Sequence, residues 1–432
     1  MDKKKFRVLR GLRDLTFEDV EKLNYVISTI RDLFKLYGYK EIVTPTLEEA
    51  SLFEAKAGEE LRHRMYTFRD LGKRRVTLRP EMTPSVARYY INHLLSYPKP
   101  IRLGYIANCF RYDEPQYGRY REFWQAGFEL IGSSNPEADA EIIIIADTLI
   151  KNLGFIEAFI KINHIGILKS IFKMEGISEN IQNIILSLFD KAKYDDAIEL
   201  LKANNVSKNC INTVEELIRL RGVDFKSILQ DAEKILNAYP QSLQSIANLK
   251  DILEILESSE RKISIHIDLG FARGLEYYTG LIFECFTPKF KLALGGGGRY
   301  DNLIETFNGP PTPAVGYAPG IDRIILAMEE EGLRKQIKDE HKVIIIPVSR
   351  NIVYHAFKIA EVLREQKIPV EIEVMGRSIK KSLSYANSMN FSYAIIIGEK
   401  EISEGKITLK NLKKNEQYNL TVEETINILK SK

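Results

Sequence analysis

Arg273 stands in the stretch FARGLEYYTG, residues 271–280, between apolar neighbours and just ahead of the paired phenols of Tyr277 and Tyr278. The flanking runs ISIHIDLGF and LIFECF read as buried strands, and a buried guanidinium needs an anion or several acceptors to offset its lost hydration. An anionic ligand meets that need, and so does a structural ion pair. The stretch by itself leaves both open.

Other stretches carry complementary chemistry. In FRYDEPQYGRYREFWQAGFELIG, residues 110–132, strand alternation puts Gln125, Gly127 and Glu129 on one face and Trp124, Ala126, Phe128 and Leu130 on the other. The polar face offers an amide, a carboxylate and a glycine gap through which a small ligand could approach the backbone, though an ordinary half-exposed hairpin has the same pattern. The loop before it holds Arg111, Arg119 and Arg121, whose forks suit phosphate oxygens unless they are merely solvated. LRPEMT, residues 78–83, adds Glu81 and Thr83 after a strand, where an ammonium group could be captured; a lone glutamate in a turn would mean little. GGGGRYD at 295–301, and Gly316, Gly320 and Arg323 in GYAPGIDR, permit close backbone approach near helix starts, although turns use glycine anyway.

These residues need a scaffold. DVEKLNYVISTIRDLFKLYGY has helical spacing up to Gly38, and KEIVTPTLEE reads as a short strand stopped by Pro45. RRVTLRP, a helix from about Pro84, PIRLGYIANCF and REFWQAGFELIG predict an antiparallel sheet with helices. From 155 to 260 the pattern turns to amphipathic helix, with Leu249, Ile252, Leu253 and Leu256 on one stripe, and the region is expected to be an inserted helical domain. Strands resume at 263–294, and the segment ends in a helix that Pro319 starts and Gly332 stops. KVIIIPV, VEIEVM and YAIIIGEK, separated by helical stretches, predict a small βαβαβ domain. The domains expected are therefore 1–154 and 261–332 as two parts of one sheet domain, 155–260 as the insertion, and 341–432 as the tail.

Composition bounds the rest. The net charge of +3 is too small to announce a nucleic-acid partner, but His341–Lys432 holds 15 Lys and Arg against 10 Asp and Glu. The tail is thus a candidate polyanion binder, or a solvated face. Cys109, Cys210 and Cys285 are odd in number and widely spaced, which argues against a disulfide framework or zinc site and fits a reducing, cytoplasmic home. His63, His93, His164, His266, His341 and His355 show no metal-ligand spacing, and no P-loop pattern occurs. Neither a signal peptide nor a membrane span is expected.

The order of these stretches resembles that of class II aminoacyl-tRNA synthetases, and RGLEYYTG with GGGGRYD resembles the histidyl-tRNA synthetase family, from about Gly11 to the C-terminus. The Pro45 region resembles the first class motif, 110–131 the second and 314–328 the third. The resemblance implies an α+β fold: a class II antiparallel sheet flanked by helices, with a helical insertion and a C-terminal α/β anticodon-binding domain. It also implies a cytoplasmic homodimer that joins L-histidine to tRNA(His) with ATP. By resemblance, Glu81, Thr83 and Gln125 lie near the α-amino group of histidine, and Glu129 and Tyr278 near its imidazole, with Tyr277 completing the pocket. Arg111 and Arg323 grip the triphosphate, Arg119 supports its far end, and Arg273 holds the α-phosphate and the attacking carboxylate. Magnesium would ride on the β- and γ-phosphates, with no protein metal ligands.

Two departures from the pattern are Asp113-Glu114, where many bacterial relatives carry a Glu-Arg pair, and Glu276 in place of a common Asp. The first bears on how the loop meets the acceptor end of tRNA. The rival implied by the same scaffold is the catalytically silent regulatory subunit of ATP phosphoribosyltransferase. That subunit typically lacks the arginine signature and the C-terminal domain.

Overall fold

The computed structural model describes residues 6–55, 58–333 and 343–430. Met1–Lys5 and His341, the expected start of the tail domain, lie outside them. The chain divides into two compact units, Met1–Ile337 and Lys338–Lys432.

In the first unit nine strands form one sheet, ordered Lys40–Glu41, Ile101–Phe110, Glu122–Ile131, Ala314–Pro319, Phe290–Arg299, Leu281–Thr287, Phe159–His164, Ile265–Asp268 and Arg221–Gly222. Pairing is antiparallel through the middle, and parallel where Lys40–Glu41 meets Ile101–Phe110 and where Phe159–His164 meets Ile265–Asp268. The helix Phe17–Tyr37 begins at a Thr16–Asp19 capping box and ends at Gly38, whose φ of 75° suits the left-handed cap. Its stripe of Val26, Ile30, Leu33 and Phe34 is buried against the sheet. Gly104 permits that approach, since a Cβ there would lie 2.5 Å from the Phe34 ring.

Several sequence expectations need correction. KEIVTPTLEE is split: Lys40–Glu41 joins the large sheet, whereas Leu47–Glu49, beyond Pro45, pairs with Arg75–Leu78 in a three-stranded sheet. The helical insertion starts later than 155, because Phe159–His164 hydrogen-bonds to Leu281–Thr287 inside the large sheet. Its helices run from Gly166–Met174 to Pro240–Ser258 and pack into the same core, where Leu249, Ile252, Leu253 and Leu256 are buried. Pro319 closes a strand, and the helix Ile321–Glu331 begins after an N-cap at Gly320. The glycines at 295–298 form no turn. They lie within the strand Phe290–Arg299, flanked by partners on both sides.

The second unit has five strands in the order Val370–Ile372, Val343–Pro347, Tyr393–Ile397, Ile407–Asn411 and Glu416–Leu420. The first three are parallel; the last two, which the sequence reading missed, add an antiparallel edge. Val343 and Ile345 pack under one set of helices, while Ile344 and Ile346 pack against Ala386 and Phe391 on the other face. Burial of both faces is why VIIIP is apolar at successive positions rather than at alternate ones.

Candidate active site

The centre of the large sheet opens into a cavity of about 680 Å³. Glu81, Thr83, Gln125, Glu129, Tyr277 and Tyr278 line it, and so do Arg111, Arg119, Arg273 and Arg323. Residues up to 242 positions apart in sequence are therefore brought to one space by strand pairing.

Glu129, 1 % exposed, projects from the strand Glu122–Ile131. Thr83, the first residue of the helix Thr83–His93, donates to its Oε1 at 3.0 Å, and the Tyr300 hydroxyl donates to its Oε2. Burial raises the Glu129 carboxyl to about 8, against the two hydroxyl bonds that favour its charged form and with Glu81 adding to the rise. Tyr277 donates to Glu81 Oε2 at 2.8 Å. Burial raises Glu81 above the usual range too, opposed by Arg111, Tyr277 and Arg273. The two buried carboxyls and the phenols form a polar pocket that can take a small ligand with several N–H groups.

The guanidinium groups act on one another: Arg111, Arg119 and Arg273 all bear on Arg323. Arg111 donates from Nε to Pro80 O at 2.8 Å, and Arg323 from Nε to Gly118 O and from a terminal nitrogen to Ala293 O, each at 3.2 Å. Burial lowers Arg323 below the usual arginine value, and Arg111 and Arg119 add to the effect. Arg273 has a carboxylate, Glu284, 3.6 Å from its Nε, and donates to Phe283 O at 3.3 Å and Gly297 O at 3.5 Å. Asp190 and Glu81 also act on Arg273, but the four guanidinium groups gathered here still offer an anion paired donors in fixed geometry.

The glycines have a different task from the one their positions suggest. A Cβ on Gly296 would lie 2.2 Å from an Arg273 terminal nitrogen, one on Gly298 2.8 Å from the Tyr278 ring, and one on Gly316 1.8 Å from Glu129 Oε2. Each empties the volume that a polar side chain from a neighbouring segment occupies. Gly127 offers no gap to a ligand either, because a Cβ there would sit 2.1 Å from Tyr105. Arg121 departs from its loop neighbours: it is 9 % exposed, donates to Asp113 O and Arg10 O, and lies 3.7 Å over the Tyr112 ring, away from the cavity.

A family model described as Histidyl-tRNA synthetase matches residues 11–324, and one described as Anticodon binding domain matches 342–432. The chain belongs to the histidyl-tRNA synthetase family. It is 42% identical over 98% of its length to the Histidine–tRNA ligase of Methanocaldococcus jannaschii, of which 99% is covered. To that of Pyrococcus furiosus it is 41% identical, over 98% of each chain. The crystal structure of the apo histidyl-tRNA synthetase of S. aureus superposes with a TM-score of 0.75 at 29% identity, covering 99% of this chain and all of that one.

The sequence reading missed three parts of this cavity. Tyr300 lies inside the quoted GGGGRYD, which was weighed for its glycines alone. Glu284 is the lone charge in the apolar strand LIFECF, and that was its signal. Asp190 and Lys191, from the helical insertion, also line the cavity, with Lys191 2.9 Å from Glu60, and no local pattern pointed to them. The departure at Asp113-Glu114 is taken up locally: Asp113 lies 3.2 Å from Arg64, and Glu114 pairs with Arg10.

Proposed function

We propose that this chain is a histidine–tRNA ligase that activates L-histidine with ATP at the cavity of the large sheet and transfers the histidyl group to the terminal hydroxyl of tRNA(His). The observation that carries the reading is the joining, in one cavity, of a buried Glu81–Glu129–tyrosine pocket to a guanidinium cluster. The pocket suits the ammonium and imidazole groups of histidine, and the cluster suits a triphosphate.

In this reading Glu81 and Gln125 receive the α-amino group, and Glu129 with Tyr278 faces the imidazole. Thr83 acts through Glu129, to which its hydroxyl is bonded, rather than on the amino group as the resemblance implies. Tyr277, tied to Glu81, walls the pocket. Arg111 and Arg323 grip the triphosphate and Arg119 reaches its far end. Arg273 holds the histidine carboxylate and the α-phosphate together for in-line attack, so that two anions meet while charge builds on the phosphoryl oxygens. Among the described residues no group of three or more His, Cys, Asp or Glu could hold a metal ion. Magnesium would be carried by the β- and γ-phosphates of ATP, in keeping with its preference for phosphate and water ligands, and would neutralise charge there.

The match of the tail to an anticodon-binding model favours a role for residues 342–432 in holding tRNA, and weighs against the silent regulatory relative. Residues 1–164 and 261–332 serve as the catalytic sheet domain, and the helices from Gly166–Met174 to Pro240–Ser258 as the insertion. Among the described residues no helix is long and apolar enough to cross a membrane, and Cys109, Cys210 and Cys285 are free and buried, which suits a reducing compartment. The synthetase works as a homodimer through its first class motif; light scattering should give a mass near twice 49.6 kDa, and an active monomer would contradict this. Histidine-dependent exchange of pyrophosphate into ATP tests the activity. Folded protein without exchange would return the regulatory reading.

A further inference from the structure

We propose that Tyr300 is a positioning residue for histidine selection: its phenol holds the Glu129 carboxylate turned as an acceptor towards the imidazole. The proposal rests on the assignment of Glu129 to the imidazole made above.

Glu129 pairs across the sheet with Gly316, whose missing side chain gives Oε2 its place over the neighbouring strand. Tyr300 follows the strand Phe290–Arg299 and is pinned there, its backbone N–H donating to Ala314 O at 2.8 Å and its ring meeting Tyr277 edge-on at 6.0 Å. Its hydroxyl donates to Oε2 while Thr83 donates to Oε1, so each oxygen receives one O–H. A carboxylate has lone pairs left for a third donor, the imidazole N–H. A protonated carboxyl would place its own hydrogen on one of these oxygens and lose that geometry.

The surroundings work against the charged form. The ionisable groups facing Glu129 are Glu81 and the phenols of Tyr39, Tyr105, Tyr277, Tyr278 and Tyr300, all of them acids. Burial pushes the Glu129 carboxyl up to about 8 even with Tyr300 and Thr83 in place. Removing the Tyr300 hydroxyl takes away one of the two contacts that favour ionisation, so Glu129 ionises only at still higher pH and less of the acceptor form is present at any given pH. Raising the pH restores the carboxylate.

The experiment compares wild type, Tyr300→Phe and Glu129→Gln by pyrophosphate exchange between pH 7 and 9.5. Tyr300→Phe should raise KM for histidine about tenfold at pH 7.5, the loss of one hydrogen bond to a charged acceptor. KM for ATP and kcat at saturating histidine should stay within about twofold, and the gap in histidine KM to wild type should close as pH rises. A gap independent of pH would reduce Tyr300 to packing and overturn the proposal. If Glu129→Gln raises KM for histidine and Tyr300→Phe does not, the role of Tyr300 is refuted while that of Glu129 stands. If Glu129→Gln leaves it unchanged, the assignment of Glu129 fails and takes the proposal with it. Infrared difference spectra give a second readout: at pH 9, where wild type has largely lost the protonated-carboxyl band of Glu129, Tyr300→Phe should keep a band that Glu129→Gln lacks, and loss of that band over the same pH range as in wild type would also refute the proposal. Should Tyr300→Phe not fold, Thr83→Val, which removes the other donor, must show the same pH-dependent gap, and a flat one would refute.

Discussion

Replacing Arg273 with lysine separates a catalytic guanidinium from an architectural one. The present side chain spreads its contacts over a fork: Nε faces Glu284 Oε1 at 3.6 Å, one terminal nitrogen reaches Phe283 O and Gly297 O, and the second terminal nitrogen has no hydrogen bond among the described residues. That free donor edge is the part that can meet a phosphoryl oxygen and a carboxylate together. Lysine keeps the charge but supplies a single ammonium that cannot satisfy the carbonyls and span two anions at once. Losing one preorganised donor of this kind costs on the order of 10² to 10³ in rate, or about 3–4 kcal/mol. The loss should fall on kcat for adenylate formation with little change in KM, because the contact is made mainly in the transition state. The ion-pair alternative has a basis too, since Glu284 is close. Both side chains of that pair are roughly one-fifth exposed, however, and such a contact is worth about 1 kcal/mol or less. It would cost a few degrees of Tm and leave turnover intact. Pyrophosphate exchange and Tm, measured on one preparation, decide between them. A destabilised Arg273→Lys with wild-type specific activity would refute the catalytic reasoning.

Three other outcomes are expected. Gly316→Ala places a Cβ 1.8 Å from Glu129 Oε2, so the carboxylate must leave Thr83 and Tyr300; titration calorimetry should show histidine affinity falling by roughly 10² or more, as expected for two hydrogen bonds to a charged group, with ATP binding retained. Ending the chain at Gly332 should preserve histidine-dependent exchange but impair tRNA charging, and charging by the full chain should weaken as salt rises; full-rate charging by the shortened chain would remove the role given to the tail. His164, buried in the strand Phe159–His164, is lowered to about 4 by burial and by the charge of Arg299. Because this folded value is depressed, its contribution is present above the unfolded value of about 6.5 and is lost as pH falls towards 4, by up to about 3 kcal/mol. Urea unfolding between pH 4.5 and 7 should show a shallower pH slope for His164→Gln than for wild type, and equal slopes would contradict this.

The chemistry-bearing side chains were legible because few residue types can do what they do. A guanidinium among apolar neighbours, a carboxylate on an alternating strand and a glutamate–threonine pair after a strand are visible by type and spacing, but only their order along the chain sets them apart from an ion pair, a half-exposed hairpin and a turn residue. Arg119 and Arg121 show where that ends: both are arginines of one hairpin loop, yet Arg119 reaches the cavity and Arg121 is spent on the carbonyls of Arg10 and Asp113. Which way a loop side chain turns depends on the segment that packs over it, here the stretch around Gly11, far away in sequence.

By itself the sequence determined the periodic elements, the polar and apolar faces of the strand Glu122–Ile131, the residues able to bind anions and amines, and the separate character of the tail. Those follow from local periodicity and side-chain chemistry, which need no partner strand. The tertiary structure alone decided what the glycines are for. Gly296, Gly298 and Gly316 are small because Arg273, Tyr278 and Glu129 fill the space beside them, and that space is defined only when strands at 290–299, 281–287, 122–131 and 314–319 are paired in register. The same holds for Tyr300, a phenol of ordinary appearance whose partner lies 171 residues away. Register across a sheet fixes which side chains share a volume, and it is a property of paired strands rather than of either one.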